Sequence, residues 1–174
     1  MAQVQYADRT TTEDLAYACR SIVAGSIAVT TGRMDLESPA ETVMRIQSGD
    51  MDAIEHLRHE LAGQIAWLIV RADDSVRSVF LEHNVPEAEE MEPPAVGLSD
   101  VIRLVVYSER KTAALGSLLD ALDQALVDAM SEHVGRLSPG FMQAEIVDRE
   151  EARRIRSGLR GFRPSPMWLA SREE

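Results

Sequence analysis

Asp52, Glu55, His56, His59 and Glu60 form the one stretch of the chain with metal-ligand character. On a helix, Asp52 and His56 lie one turn apart, as do Glu55 and His59, and His56 and Glu60. Neutral imidazole beside carboxylate suits zinc, iron or manganese. His56, His59, Asp52 and Glu60 are therefore candidate ligands of a divalent metal. The same helix carries Ile54, Leu57 and Leu61 as its apolar stripe. At about 100° per residue, that stripe lies opposite Asp52, His56 and His59. The histidines then face water, where each Glu/His pair supports the helix by only about 0.2–0.5 kcal/mol. A metal site needs another element or subunit to close over that face. Asp120, Asp123, Asp128 and Glu132 also carry carboxylates in series, but without the glycine-punctuated spacing of a calcium loop. They read as the wet side of a helix.

Nucleophilic and phosphate-binding chemistry lacks an anchor. No Gly-x-Ser-x-Gly elbow, Gly-x-Gly-x-x-Gly loop or Walker-type glycine-lysine motif occurs. Cys19, the single cysteine, falls on the apolar stripe of a predicted helix, where a thiol is core filling. It excludes an intramolecular disulfide and any cysteine-based zinc site. No catalytic residue is identifiable, and the residues leave open whether the protein is an enzyme. Arg77 and His83, with five residues between them, resemble the Arg-x(4–6)-His motif of HEPN-type ribonucleases. The resemblance covers those two residues, implies RNA processing and requires a helix around them.

The carboxyl end suits contact rather than catalysis. Arg149, Arg153, Arg154, Arg156, Arg160 and Arg163 make positions 148–163 locally net +3 on a chain of net charge -11. Pro164 and Pro166 then stiffen the backbone before Met167, Trp168 and Leu169. An exposed Met-Trp-Leu triplet is unfavourable in water, so it docks, on the chain's own core or on a neighbouring subunit. Trp is a favoured interface anchor. Trp168, Met167, Leu169, Arg153 and Arg156 are the candidate interface residues.

At 174 residues, with 45% hydrophobic and 27% charged residues, the chain can bury one globular core. Aromatics are 5%, which leaves packing to Leu, Val, Ile, Ala and Met. The acidic balance repels phosphate backbones and argues against nucleic-acid binding. The longest apolar segment, Leu61 to Val70, is about half of a membrane span and contains Gln64. The amino end shows no signal-peptide pattern. A soluble cytoplasmic protein is expected, with no membrane association.

The elements follow from caps and periodicity. Thr12 with Glu13 and Asp14 starts a first helix, weakened beyond residue 24 by Gly25 and β-branched residues and ended by Gly32. Ser38-Pro39-Ala40-Glu41 starts a second. Asp50 starts a third, which Gly63 ends. Two apolar, β-branched runs then flank Ala72-Asp73-Asp74-Ser75 and read as a hairpin over about 64–83. Val85 to Gly97, with three prolines and four glutamates, reads as a loop. Positions 101–107 are the strongest strand signal, Glu109–His133 a long helix, and 142–147 a further strand. Asp148 caps a final helix. The order is αααβββαβα, an α+β fold with a small mixed sheet and one parallel crossover. If 50–84 is instead one helix, with a second long helix over 98–134, the fold is an all-α bundle. Residues 1–162 form a single domain and 163–174 a docking arm. The expected function is that of a non-enzymatic oligomeric interaction or regulatory domain, a homo-oligomer with a further protein partner and no cofactor. The alternative is a metal- or small-ligand-binding protein or enzyme, with its His/carboxylate site and divalent metal at a subunit interface.

Overall fold

The computed structural model describes residues 12–82, 102–135, 140–156 and 167–172. Its elements are α1 (Thr12–Arg33), α2 (Pro39–Gln47), α3 (Met51–Ala72), β1 (Val76–Leu81), β2 (Ile102–Ser108), α4 (Ala113–Val134), β3 (Met142–Val147), α5 (Arg149–Arg156) and β4 (Met167–Ser171). The four strands form one mixed sheet in the order β3-β2-β1-β4. β1 runs antiparallel to β2 and to β4. β2 and β3 are parallel, in register from Ile102↔Met142 to Tyr107↔Val147, with α4 as the crossover between them. The fold is α+β, with helices packed on a small mixed sheet.

The hairpin expectation is corrected. Residues 65–70, read above as the first strand of a hairpin, continue α3 to Ala72. The helix opens at Asp50, whose carboxylate accepts from the amides of Asp52 and Ala53. From there Ile54, Leu57, Arg58, Leu61, Ala62, Ile65, Ala66, Ile69 and Val70 are all buried. Their spacings of three and four make one stripe along the whole helix. The β-branched run favours a strand only locally, and burial of the continuous stripe overrides that preference. The chain does turn at the paired aspartates, but from helix into strand. Asp73 accepts from the Ser75 amide at 2.8 Å, and the Val76 amide donates to the Asp73 carbonyl at 3.1 Å.

Gly63 therefore lies inside α3 rather than at its end. A Cβ at this position meets nothing within 4 Å. Gly63→Ala is expected to raise stability by about 0.5–1 kcal/mol, read as a higher denaturation midpoint, since alanine restricts the unfolded chain and suits a helix interior. A strained turn at 63 would give a loss instead.

α1 likewise runs past residue 24 to Arg33, with Cys19, Val23, Ser26, Ile27, Thr30 and Thr31 buried. Of its β-branched residues, Val23, Ile27, Thr30 and Thr31 face inward whereas Val29 is exposed, and Thr31 donates to the Ile27 carbonyl at 2.8 Å and meets the Thr42 hydroxyl at 2.7 Å. α2 begins as its capping residues require, the Ser38 side chain accepting from the Glu41 amide. α3 and α4 pack on one face of the sheet over Val79, Leu81, Leu104 and Val106, and α1 packs in turn across α3 and α4. On the other face Ala152 of α5 closes over Phe80, Val105 and Val147.

A side chain assigned above to the wet side of α4 fixes the crossover. Asp123 accepts from the Gly140 amide at 2.6 Å and the Met142 amide at 2.7 Å. It thereby holds the entrance of β3 against the middle of α4.

The described part of the expected arm, residues 167–172, docks on the chain's own sheet, because β4 pairs with β1 over Met167 to Ser171. Arg172, just beyond β4, donates to Asp74 at 2.5 Å and to the Val70 carbonyl. The second contact satisfies one of the carbonyls left over at the end of α3. The loop expected over 85–97 lies outside the described residues.

Candidate contact site

The turn after α3 and the docking of β4 together bring Trp67 and Trp168 to one groove. It has a volume of about 640 Å³ and is lined by Trp67, Val70 and Arg71 of α3 and by Trp168, Leu169, Ala170, Ser171 and Arg172 of the β4 segment. These are the chain's two tryptophans, and they are 47% and 56% exposed. Trp67 stands out from the α3 stripe because its neighbours Ile65, Ala66, Ile69 and Val70 fill the buried positions. The Arg71 guanidinium lies 6.0 Å from the centre of the Trp67 ring, at the reach of a cation–π contact. Arg172 is held by Asp74 and by the Val70 carbonyl, which fixes the floor of the groove where strand and helix meet.

β4 is also the outer strand of the sheet. Its inner side bonds to β1, and its outer side presents backbone donors and acceptors without a sheet neighbour among the described residues. Trp168 pairs in register with Phe80, and a shift between Val79 and Phe80 leaves Leu169 without a partner in the ladder. Such a bulge bends the strand and re-aims its side chains.

Of the interface residues expected from sequence, Trp168 is exposed and Met167 and Leu169 are half-buried in β4. Arg153 is exposed on α5 and does not line the groove. Arg156 ends α5, and its side chain lies outside the described residues. Trp67 and Arg71 were not singled out by sequence. The signal was present in the helical phase, since a helix through 65–72 puts position 67 opposite its buried stripe.

The candidate metal ligands stay on the outer side of α3. Asp52 and His56 are exposed, and His59 and Glu60 are half-buried. Glu60 pairs with Arg33 of α1 at 2.7 Å. Among the described residues, no group of three or more His, Cys, Asp or Glu side chains gathers as a metal would require. Arg77 lies on β1 rather than on a helix and pairs with Glu109 at 3.0 Å, while His83 lies outside the described residues. The helix that the ribonuclease motif needs around Arg77 is not formed. Cys19 is fully buried, and desolvation pushes its thiol up to about 11, so it is protonated and inert at neutral pH. No helix among the described residues is long and apolar enough to cross a membrane.

Comparison with known protein families, with curated proteins and with solved structures finds no match to this chain.

Proposed function

We propose that the protein is a non-enzymatic, self-associating interaction or regulatory domain of the cytoplasm, and that β4 with the Trp67/Trp168 groove is its contact surface. The observation that supports this reading is the placement of both tryptophans, each about half exposed, beside the open edge of the sheet. Surface tryptophan side chains gain much from burial, and tryptophan dominates the energetics of many interfaces. An open strand adds main-chain hydrogen bonds to any strand laid beside it. A two-fold contact would use the same surface on both copies, which makes an edge strand self-complementary in the antiparallel sense. Met167 and Leu169, half-buried in the same strand, border the contact. Arg153 and Arg156 serve a further protein partner at a separate position, on α5.

Light-scattering mass of the full chain tests the reading. The parent is expected to form a dimer at micromolar concentration. Trp168→Ala should weaken association by about thirtyfold, the effect of losing a contact worth about 2 kcal/mol. Trp168 is surface-exposed, so its circular dichroism should match the parent's. A monomeric parent, or a dimer indifferent to Trp168→Ala and Trp67→Ala, would remove the reading.

A further inference from the structure

A second surface, remote in sequence from the tryptophan groove, lies at the carboxyl ends of the parallel strands β2 and β3. The register between them ends at Tyr107↔Val147, so Glu109–Lys111 and Asp148–Arg149 leave the sheet side by side. In open sheets with parallel strands, ligands sit in the crevice at these strand ends, where the loops diverge.

The loop after β2 is held by a chain of hydrogen bonds. The Ser75 hydroxyl donates to Asp73 at 2.6 Å and meets the Ser108 hydroxyl at 2.8 Å. Ser108, itself 2% exposed, donates to the Arg110 carbonyl at 2.8 Å and accepts from the Arg110 amide at 3.3 Å. The Glu109 amide donates to the Ser75 carbonyl at 2.9 Å. This clamp fixes the backbone of a strongly charged loop whose own side chains are exposed.

The charges there are unequally occupied. Glu109 is paired with Arg77 at 3.0 Å, and Arg154 with Glu150 at 2.5 Å. Asp148 accepts from the Glu151 amide at 2.9 Å and so caps α5. Glu151 and Arg153 are engaged as well. Arg110, Lys111 and Arg149 are left exposed and without an ion-pair partner among the described residues. Two of the local carboxylates register this field. Glu109 is held below the ordinary glutamate range, first by the Arg77 hydrogen bond and with help from Arg110 and Arg149. Asp148 is held low first by the Glu151 amide, with Lys111 and Arg154 contributing. α4 begins at the same place with no acid in its first turn, so nothing in that turn opposes an anion.

We infer that Arg110, Lys111 and Arg149 form a binding site for a small phosphoryl-bearing anion at the carboxyl ends of β2 and β3. A phosphoryl group carries enough oxygens and charge to engage cations from both loops at once, which a single carboxylate does not. The clamp through Ser75 and Ser108 sets the loop in advance, so little ordering is lost on binding. Three exposed cations on two adjoining loops stand out on a molecule of net charge -11.

Calorimetric titration of the full chain with inorganic pyrophosphate tests this. Saturable binding of one equivalent is expected. Lys111→Ala and Arg149→Ala should each weaken it about tenfold, the loss of one charge-assisted hydrogen bond. Arg103→Ala, which changes net charge equally but lies near the amino end of β2, away from the site, should leave it unchanged. No saturation, or equal weakening by Arg103→Ala, would overturn the site and reduce the effect to bulk charge. A single-stranded oligonucleotide that binds through the same residues where pyrophosphate does not would also overturn it, since the recognised group would then be a polymer backbone. None of these outcomes depends on the oligomeric state read at the groove.

Discussion

Ile65→Ala is expected to lower the unfolding free energy by about 3 kcal/mol, within the range for truncating a large buried aliphatic side chain. Trp67→Ala should change it by less than about 1 kcal/mol, the worth of its contact with Arg71. The contrast separates the two secondary structures that this segment can adopt. On a strand, positions 65 and 67 share a face and would be buried or exposed together. On α3, Ile65 is fully buried and Trp67 is 47% exposed. Urea titration of both variants reads the difference directly. Comparable losses at the two positions would contradict the helical assignment. Both substitutions leave the Asp73 turn intact, so the comparison isolates the helical phase.

The second large effect lies at Asp123. Asp123→Ala should cost about 3 kcal/mol, because two short charge-assisted hydrogen bonds are lost and the Met142 amide is left without its acceptor. Asp128→Ala on the same helix should fall within about 0.5 kcal/mol, since its bond from Gln124 at 2.9 Å is exposed. Hydrogen exchange adds a local reading, with protection at the Met142 amide expected to drop in the Asp123 variant. If the two aspartates cost the same, the tie between α4 and β3 contributes nothing to stability.

Much of this architecture was legible because local and global signals agree. Ser38 and Asp50 cap their helices through side-chain oxygens, and Asp148 caps α5 in the same way, whereas α4 starts at Ala113 behind Thr112 rather than at Glu109. The runs at 102–108 and 142–147, separated by one long amphipathic helix, form the parallel pair that such a sequence implies. The segment 65–70 was not legible, because its β-branched residues favour a strand while its place at the end of an apolar stripe favours a helix. Only tertiary burial decides between them. β4 was hidden for a different reason. Its side-chain pattern is too short to mark a strand, and its partner β1 lies far back in the chain. The tryptophan groove depends on both features. Trp168 was visible as an anchor, whereas Trp67 acquires its role only once the helix extends past Gly63. Asp123 looked like its neighbours Asp120 and Asp128, since nothing in the spacing reveals that Gly140 returns to meet it.

The attachment of β4 to β1 has a consequence for biosynthesis. β1 lies between β2 and β4. A nascent chain that has released β1, β2 and β3 from the ribosome still shows one bare flank of β1, and the sheet closes only after Arg172 has been made. Until then the molecule offers a ready template for strands of other unfinished chains. A premature stop before Met167 would make that vulnerability permanent.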